Sequence, residues 1–139
     1  MKTMKLAKSV IAIVVLCFTL AGTTSCKKDK LSADTAVDQR LLGKWEKQTF
    51  LGNNVSVIQI TFNADGSGTE RNFRLDDGAT QISDETITRF TWSPKSNGVI
   101  KIKNDSNEEG DVQFFITESG DALRLTLPSG DQLILSRFN

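Results

Sequence analysis

From residue 43 to the C-terminus the chain alternates. Apolar side chains recur at every second position in short runs, and turn-forming residues cut each run. A period of two places the apolar groups on one face of a β-strand. Ile58, Ile60 and Phe62 share one face of a run over residues 55–62. Thr88, Phe90 and Trp92 stand together, as do Ile100 and Ile102, then Val112, Phe114 and Ile116, then Leu123, Leu125 and Leu127. Further runs cover residues 43–50, 68–75 and 132–138, the second of them polar. Residues 76–84 read as a loop or an irregular edge, and residues 93–98 as a turn. The tightest turn is Asn63-Ala64-Asp65-Gly66, where glycine after aspartate supplies the positive φ that hairpins need.

Eight short strands joined by short turns imply an antiparallel meander. Residues 38–42 suffice for one helical turn, and no helical stripe is present to cover an open sheet. A meander of this size loses its exposed edges most simply by closing. The expected fold is therefore all-β, a small antiparallel eight-stranded up-and-down barrel over residues 38–139. At eight strands the interior is just wide enough to be filled by side chains or to hold one small ligand.

The chain ahead of the barrel is built differently. Lys2, Lys5 and Lys8 precede an apolar run of 12 residues, Val10 to Ala21, and then small and polar residues up to Cys26. This is the order of a secretory signal peptide, and the run is shorter than the roughly 20 residues a spanning helix needs. Thr24-Ser25-Cys26 resembles the last three positions of a lipobox, with Thr23 where leucine is usual. The junction Ser-Cys-Lys-Lys-Asp is similar to that of Bacteroidota-type lipoproteins. That resemblance implies cleavage after residue 25, lipidation of Cys26 (palmitate among its acyl chains) and residence in the cell envelope, at the outer membrane. Two or more acyl chains make such an anchor effectively permanent. Residues 26–37 then form the lipidated tether. Asp34-Thr35-Ala36 is similar to an O-glycosylation pattern of the same bacterial group, which marks Thr35. Surface export in that group goes with acidic residues after the cysteine, whereas Lys27-Lys28-Asp29-Lys30 is mostly basic. The periplasmic and surface sides both stay open.

Processing also narrows the chemistry. The mature part holds 14 basic and 17 acidic residues, a net charge of −3. No basic stripe is present, so nucleic acid is not an expected partner. The chain has no histidine; Cys17 leaves with the signal peptide and Cys26 carries lipid. A Cys/His metal site and the histidine-dependent nucleophilic triads are thereby excluded, and no cofactor is expected. Glu108, Glu109 and Asp111 cluster at a turn without the spacing of a calcium loop. Asp84 and Glu85 are strand neighbours that point to opposite faces, a poor acid–base pair.

Three stretches are similar to the lipocalin-like domain of short bacterial lipoproteins. Leu42-Gly43-Lys44-Trp45 resembles the Gly-x-Trp that opens the first lipocalin strand. Ile60 to Gly68, with Thr61-Phe62-Asn63-Ala64-Asp65-Gly66 at its centre, resembles the family's hairpin. Phe90-Thr91-Trp92, a turn and then Ile100-Lys101-Ile102 resemble its mid-domain tryptophan strand. The resemblance implies a basic residue from the last strands packed across the first tryptophan. Arg137 is the first choice and Arg124 the second, closing the barrel with Gly43 and Trp45. It also implies a non-enzymatic protein that binds a small apolar ligand or acts as an envelope accessory. Ile58, Ile60, Phe90, Trp92, Phe114 and Ile116 are the candidate lining of such a pocket, or else they fill the interior. The alternative is a protein-interaction module with a filled barrel and an exposed face. Phe115 would belong to that face, provided Val57 or Leu133 were exposed beside it.

Overall fold

The computed structural model describes residues 37–76 and 80–139. The signal peptide, Cys26, Thr35 and the tether up to residue 36 lie outside the described residues. A 3-10 turn at Gln39–Leu41 leads into eight strands: β1 (Gly43–Leu51), β2 (Asn54–Phe62), β3 (Ser67–Asp76), β4 (Gln81–Ser96), β5 (Val99–Asn104), β6 (Glu109–Ile116), β7 (Ala122–Thr126) and β8 (Gln132–Arg137). Each pairs antiparallel with the next, and β8 returns to β1, so the sheet is a closed up-and-down barrel. This is the expected architecture.

The alternation in each strand fills the interior. Trp45, Ile60, Phe62, Phe90, Trp92, Ile100, Ile102, Val112, Ile116, Leu123, Leu125, Leu127, Leu133 and Leu135 form one buried cluster, joined by Leu41 from the 3-10 turn. Phe62 stands at its aromatic centre. Its ring meets those of Phe90 and Trp92 edge-on, with both centroid distances 5.6 Å. Gly68 makes room for this packing, because a Cβ there would lie 2.3 Å from the Phe90 ring and 2.8 Å from the Thr61 carbonyl oxygen.

Two segments sharpen or correct the reading of the sequence. Of the loop and the irregular edge expected up to residue 84, the structure has the irregular edge over residues 81–84, the first turn-side residues of β4, the longest strand at 16 residues. Ile82 lies opposite Leu75, and the ladder absorbs the two acidic residues that follow by a register shift between Asn72 and Arg74. Asp84 sits in this irregularity with a φ of 51°. Ser93 to Ser96 likewise continue β4, leaving only Asn97 and Gly98 as the turn. Pro94 is tolerated there because β3 begins at Ser67, opposite Thr91, so the missing N–H costs no bond on that side.

The strands are unequal, and the barrel is therefore lopsided. β8 pairs with β1 only at Trp45 and Glu46. β5 pairs with β4 only from Phe90 onward. Residues 47–51 and 81–89 thus have strand partners on one side alone among the described residues. The β1–β4 sheet continues past the closed section as a four-stranded apron, with both hairpin tips at the end opposite the 3-10 turn.

The Gly68→Ala variant is expected to lose about 1–3 kcal/mol of stability, since the Phe90 ring must move against a packed interior. Denaturant unfolding followed by tryptophan fluorescence would measure it, and an unchanged midpoint would contradict this packing.

Candidate functional site

The closed end is held by Arg137. Its guanidinium lies 4.1 Å from the centre of the Trp45 ring. Its Nε donates to the Gly120 carbonyl at 2.9 Å, in the β6–β7 turn, and one terminal nitrogen donates to the Leu42 carbonyl at 3.0 Å. The other terminal nitrogen donates to the Arg40 carbonyl. Trp45 is wholly buried, and its indole N–H donates to the Leu41 carbonyl at 2.9 Å. One cation and one indole therefore tie together the 3-10 turn, β1, β8 and the β6–β7 turn. Gly43 permits this approach. Its φ is 112°, and a Cβ there would meet an Arg137 nitrogen at 3.2 Å. Arg124, the second choice for this role, is on the outer surface, 5.3 Å from the Phe115 ring.

Asp38 caps the 3-10 turn. Its carboxylate accepts from the Arg40 backbone N–H at 3.0 Å and from the Arg40 side chain. The side-chain bonds from Arg40 hold this carboxyl below its ordinary value, outweighing a smaller upward push from burial.

The six candidate lining residues do not share one hollow among those described. Ile60, Phe90, Trp92 and Ile116 are buried within the core cluster, and Ile58 and Phe114 pack half-buried against it. A hollow of about 50 Å³ lies under the 3-10 turn, bordered by Asp38, Leu41, Trp92, Ile100 and Phe114. That volume suits a water or two rather than an organic ligand. A wider depression of about 250 Å³ lies on the outer surface between β5, β6 and β7, lined by Val99, Gln113, Phe115, Arg124 and Thr126.

Toward the open end the interior face turns polar. Trp45, Ile60, Glu70 and Thr88 stand opposite one another across β1–β4. The next interior row is Lys47, Ile58, Asn72 and Thr86. Glu70 is fully buried, and its carboxylate accepts from the Asn72 amide at 2.7 Å. These residues escaped the sequence reading, which saw only a polar strand. The available signal was closure itself: every strand of a barrel owes one face to the interior, and β3 offers either Gly68, Glu70 and Asn72 or Thr69, Arg71 and Phe73.

The remaining carboxylates are dispersed. Asp84 pairs with Arg74 and Glu85 with Arg71, while Glu109 approaches Lys101 and Asp111 pairs with Lys95. Glu108 accepts from the Asn104 amide. Among the described residues no three acidic, histidine or cysteine side chains are grouped to hold a metal ion. Phe115 is exposed, but Val57 and Leu133 are buried, so the apolar face conditional on them does not form. Ile134 is its exposed neighbour instead, across Arg124.

A family model matches most of this chain, including the Gly-x-Trp strand and the 3-10 turn before it. The lipocalin-like domain model covers residues 28–125. The chain belongs to the lipocalin-like family. No curated protein and no solved structure matches it significantly. The match ends at Leu125 in β7, so β8 and its Arg137 complete the lipocalin-like barrel beyond the matched segment.

Arg137→Ala is expected to cost about 3 kcal/mol or more, because three carbonyls lose a charged donor. Arg137→Lys should recover less than half of that, since one ammonium cannot stack and fork together. Thermal denaturation of both variants would test this. For Asp38 the sign runs toward acid. A lowered carboxyl stabilises the fold above its ordinary value of 3.8, and that contribution is lost as pH falls through the lowered one. The Trp45 indole N–H resonance should therefore hold its position from pH 7 down to about 4 and move only below that.

Proposed function

We propose that this lipocalin-like chain is a non-enzymatic accessory protein of a bacterial cell envelope. Lipid on Cys26 holds it to the outer membrane, and the barrel is a rigid, largely filled body. The observation that carries the reading is the interior packing of Trp45, Phe62, Phe90 and Trp92 with eleven aliphatic side chains in one cluster. Side chains occupy the volume in which an eight-stranded barrel would otherwise carry a ligand. The dispersed, ion-paired carboxylates and the lack of histidine support the non-enzymatic part. The basic–apolar–small order before Cys26 supports the anchor.

Native mass spectrometry of protein taken gently from its own cells would test both halves. The expected species is the chain from Cys26 onward carrying acyl chains and no other molecule. A retained small molecule at one equivalent would overturn the filled-barrel reading.

A second reading is favoured by the open end. There Ile58 is half-buried beside Lys47 and Asn72, a combination that suits the head of a small amphipathic ligand. On that reading Ile58→Trp would abolish retention of the molecule while leaving the unfolding midpoint within about 1.5 kcal/mol of wild type.

A further inference from the structure

The free edge of β4 has a defined backbone geometry. The Trp92 N–H donates to the Gly66 carbonyl at 2.8 Å, on the β3 side. Main-chain groups alternate between the two sides of a strand, so those of Phe90, Thr88 and Thr86 also point to β3. Those of Glu85, Ile87 and Arg89 point the other way. β5 fills that side only from Phe90 onward. Asp84, with its φ of 51°, interrupts the strand on the other flank. Among the described residues the edge open to a further strand is therefore residues 85–89.

The side chains of the same three residues lie on the outer face. Ile87 stands opposite Arg71 and Arg89 opposite Thr69, in the register that turns Glu70 inward. Ile87 is 57% exposed. Glu85 accepts from Arg71, whose guanidinium sits 4.5 Å from the centre of the Phe73 ring. Arg89 is exposed and has no carboxylate partner among the described residues.

This edge is its own complement. An antiparallel copy related by a two-fold axis through Ile87 sets Ile87 against Ile87, the self-matching contact a two-fold dimer requires. Because its N–H and carbonyl both point outward, Ile87 then exchanges two hydrogen bonds with its counterpart. Glu85 of each copy stands opposite Arg89 of the other, and opposite charges across a ladder are favourable. Arg89 thereby gains the carboxylate it lacks, while Glu85 keeps its bond to Arg71. Thr86 and Thr88 meet on the inner face.

Other arrangements do worse on the same residues. A two-fold axis through Thr86 sets Glu85 against Ile87 and leaves Arg89 without a partner. An axis through Thr88 runs Glu85 into Thr91, where Lys103 of β5 already lies opposite. A parallel copy in register places Glu85 beside Glu85, which is destabilising. An apolar foreign strand would cover both charges without matching either.

We propose that residues 85–89 of β4 pair with the same residues of a second copy of this chain, joining two barrels through one antiparallel ladder. Five residues a side make a small contact, so the dimer is weak and depends on concentration. The pairing needs neither lipid on Cys26 nor a bound ligand.

The test uses the chain from residue 26 onward with Cys26→Ser, which leaves no other cysteine. Ile87→Cys is added to it, and Ile134→Cys, 59% exposed on β8, is the control. A short bis-maleimide should link the Ile87→Cys protein to itself several-fold more than the Ile134→Cys protein. Adding Arg89→Glu should cut that yield several-fold, because carboxylates then face each other. Combining Arg89→Glu with Glu85→Arg restores opposite charges and should restore the yield. Sedimentation velocity of the same charge variants, with Ile87 retained, should show the same loss and recovery. Their unfolding midpoints should stay at the wild-type value, since both side chains are exposed. Equal linking at positions 87 and 134 would overturn the pairing. So would a yield indifferent to charge reversal, or a loss that the double variant does not regain. Wild-type protein that sediments as a monomer at every concentration would overturn it as well.

Discussion

The barrel depends on one stacked cation. β1 and β8 share only two paired positions, Trp45 with Arg137 and Glu46 with Ser136, extended by the Phe138 N–H to the Lys44 carbonyl. Such a short ladder is a weak seam for a closed sheet. The Arg137 side chain reinforces it by reaching three carbonyls in segments far apart in the chain, while its flat face covers the Trp45 indole. Guanidinium suits this task because its donors form a rigid planar fork, and stacking leaves all of them free to bond in the plane. The backbone carbonyls of a 3-10 turn and a hairpin turn would otherwise lack ladder partners at this end.

A seam placed at one end has consequences at the other. Beyond Glu46, β1 has no β8 residue beside it among the described residues, and β4 before Phe90 has no β5 residue. The long hairpins β1–β2 and β3–β4 therefore stand clear of the short ones. An exposed strand edge is a template for unwanted pairing unless it is bent or charged. On β4 the edge is interrupted by the irregularity at Asp84 and flanked by Glu85 and Arg89. On the inner side of the same apron the core gives way to Glu70 and Asn72, a buried polar pair joined by a hydrogen bond. Among the described residues no buried side-chain polar atom lacks a partner. The lower barrel is thus a packed hydrophobic solid, and the upper part is a sheet with one polar and one apolar face.

Much of this was legible in the chain. The period of two in Ile58-Ile60-Phe62, Val112-Phe114-Ile116 and Leu123-Leu125-Leu127 marks strands and says which residues travel together. The Asn63–Gly66 turn and the later glycine turns mark where the chain reverses. Gly43, Trp45 and a late arginine were legible through their resemblance to the lipocalin-like pattern. The strand β3 was legible but its inward face was not, because Glu70, Asn72, Arg71 and Phe73 give contradictory signs of which face is buried. The start of β4 was hidden as well, since Gln81, Ser83, Asp84 and Glu85 resemble a loop in isolation.

The sequence by itself determined the strands, their turns and the pairing of faces within each strand, because those follow from local geometry and the alternation of side chains. The tertiary structure alone decided where β4 begins, which face of β3 turns inward, and that Arg137 rather than Arg124 covers Trp45. It also decided that Phe50, Val55, Leu75 and Ile82 line up in one row. Each of these is a matter of register between strands, and register is set by partners distant in the chain whose packing must be satisfied all at once.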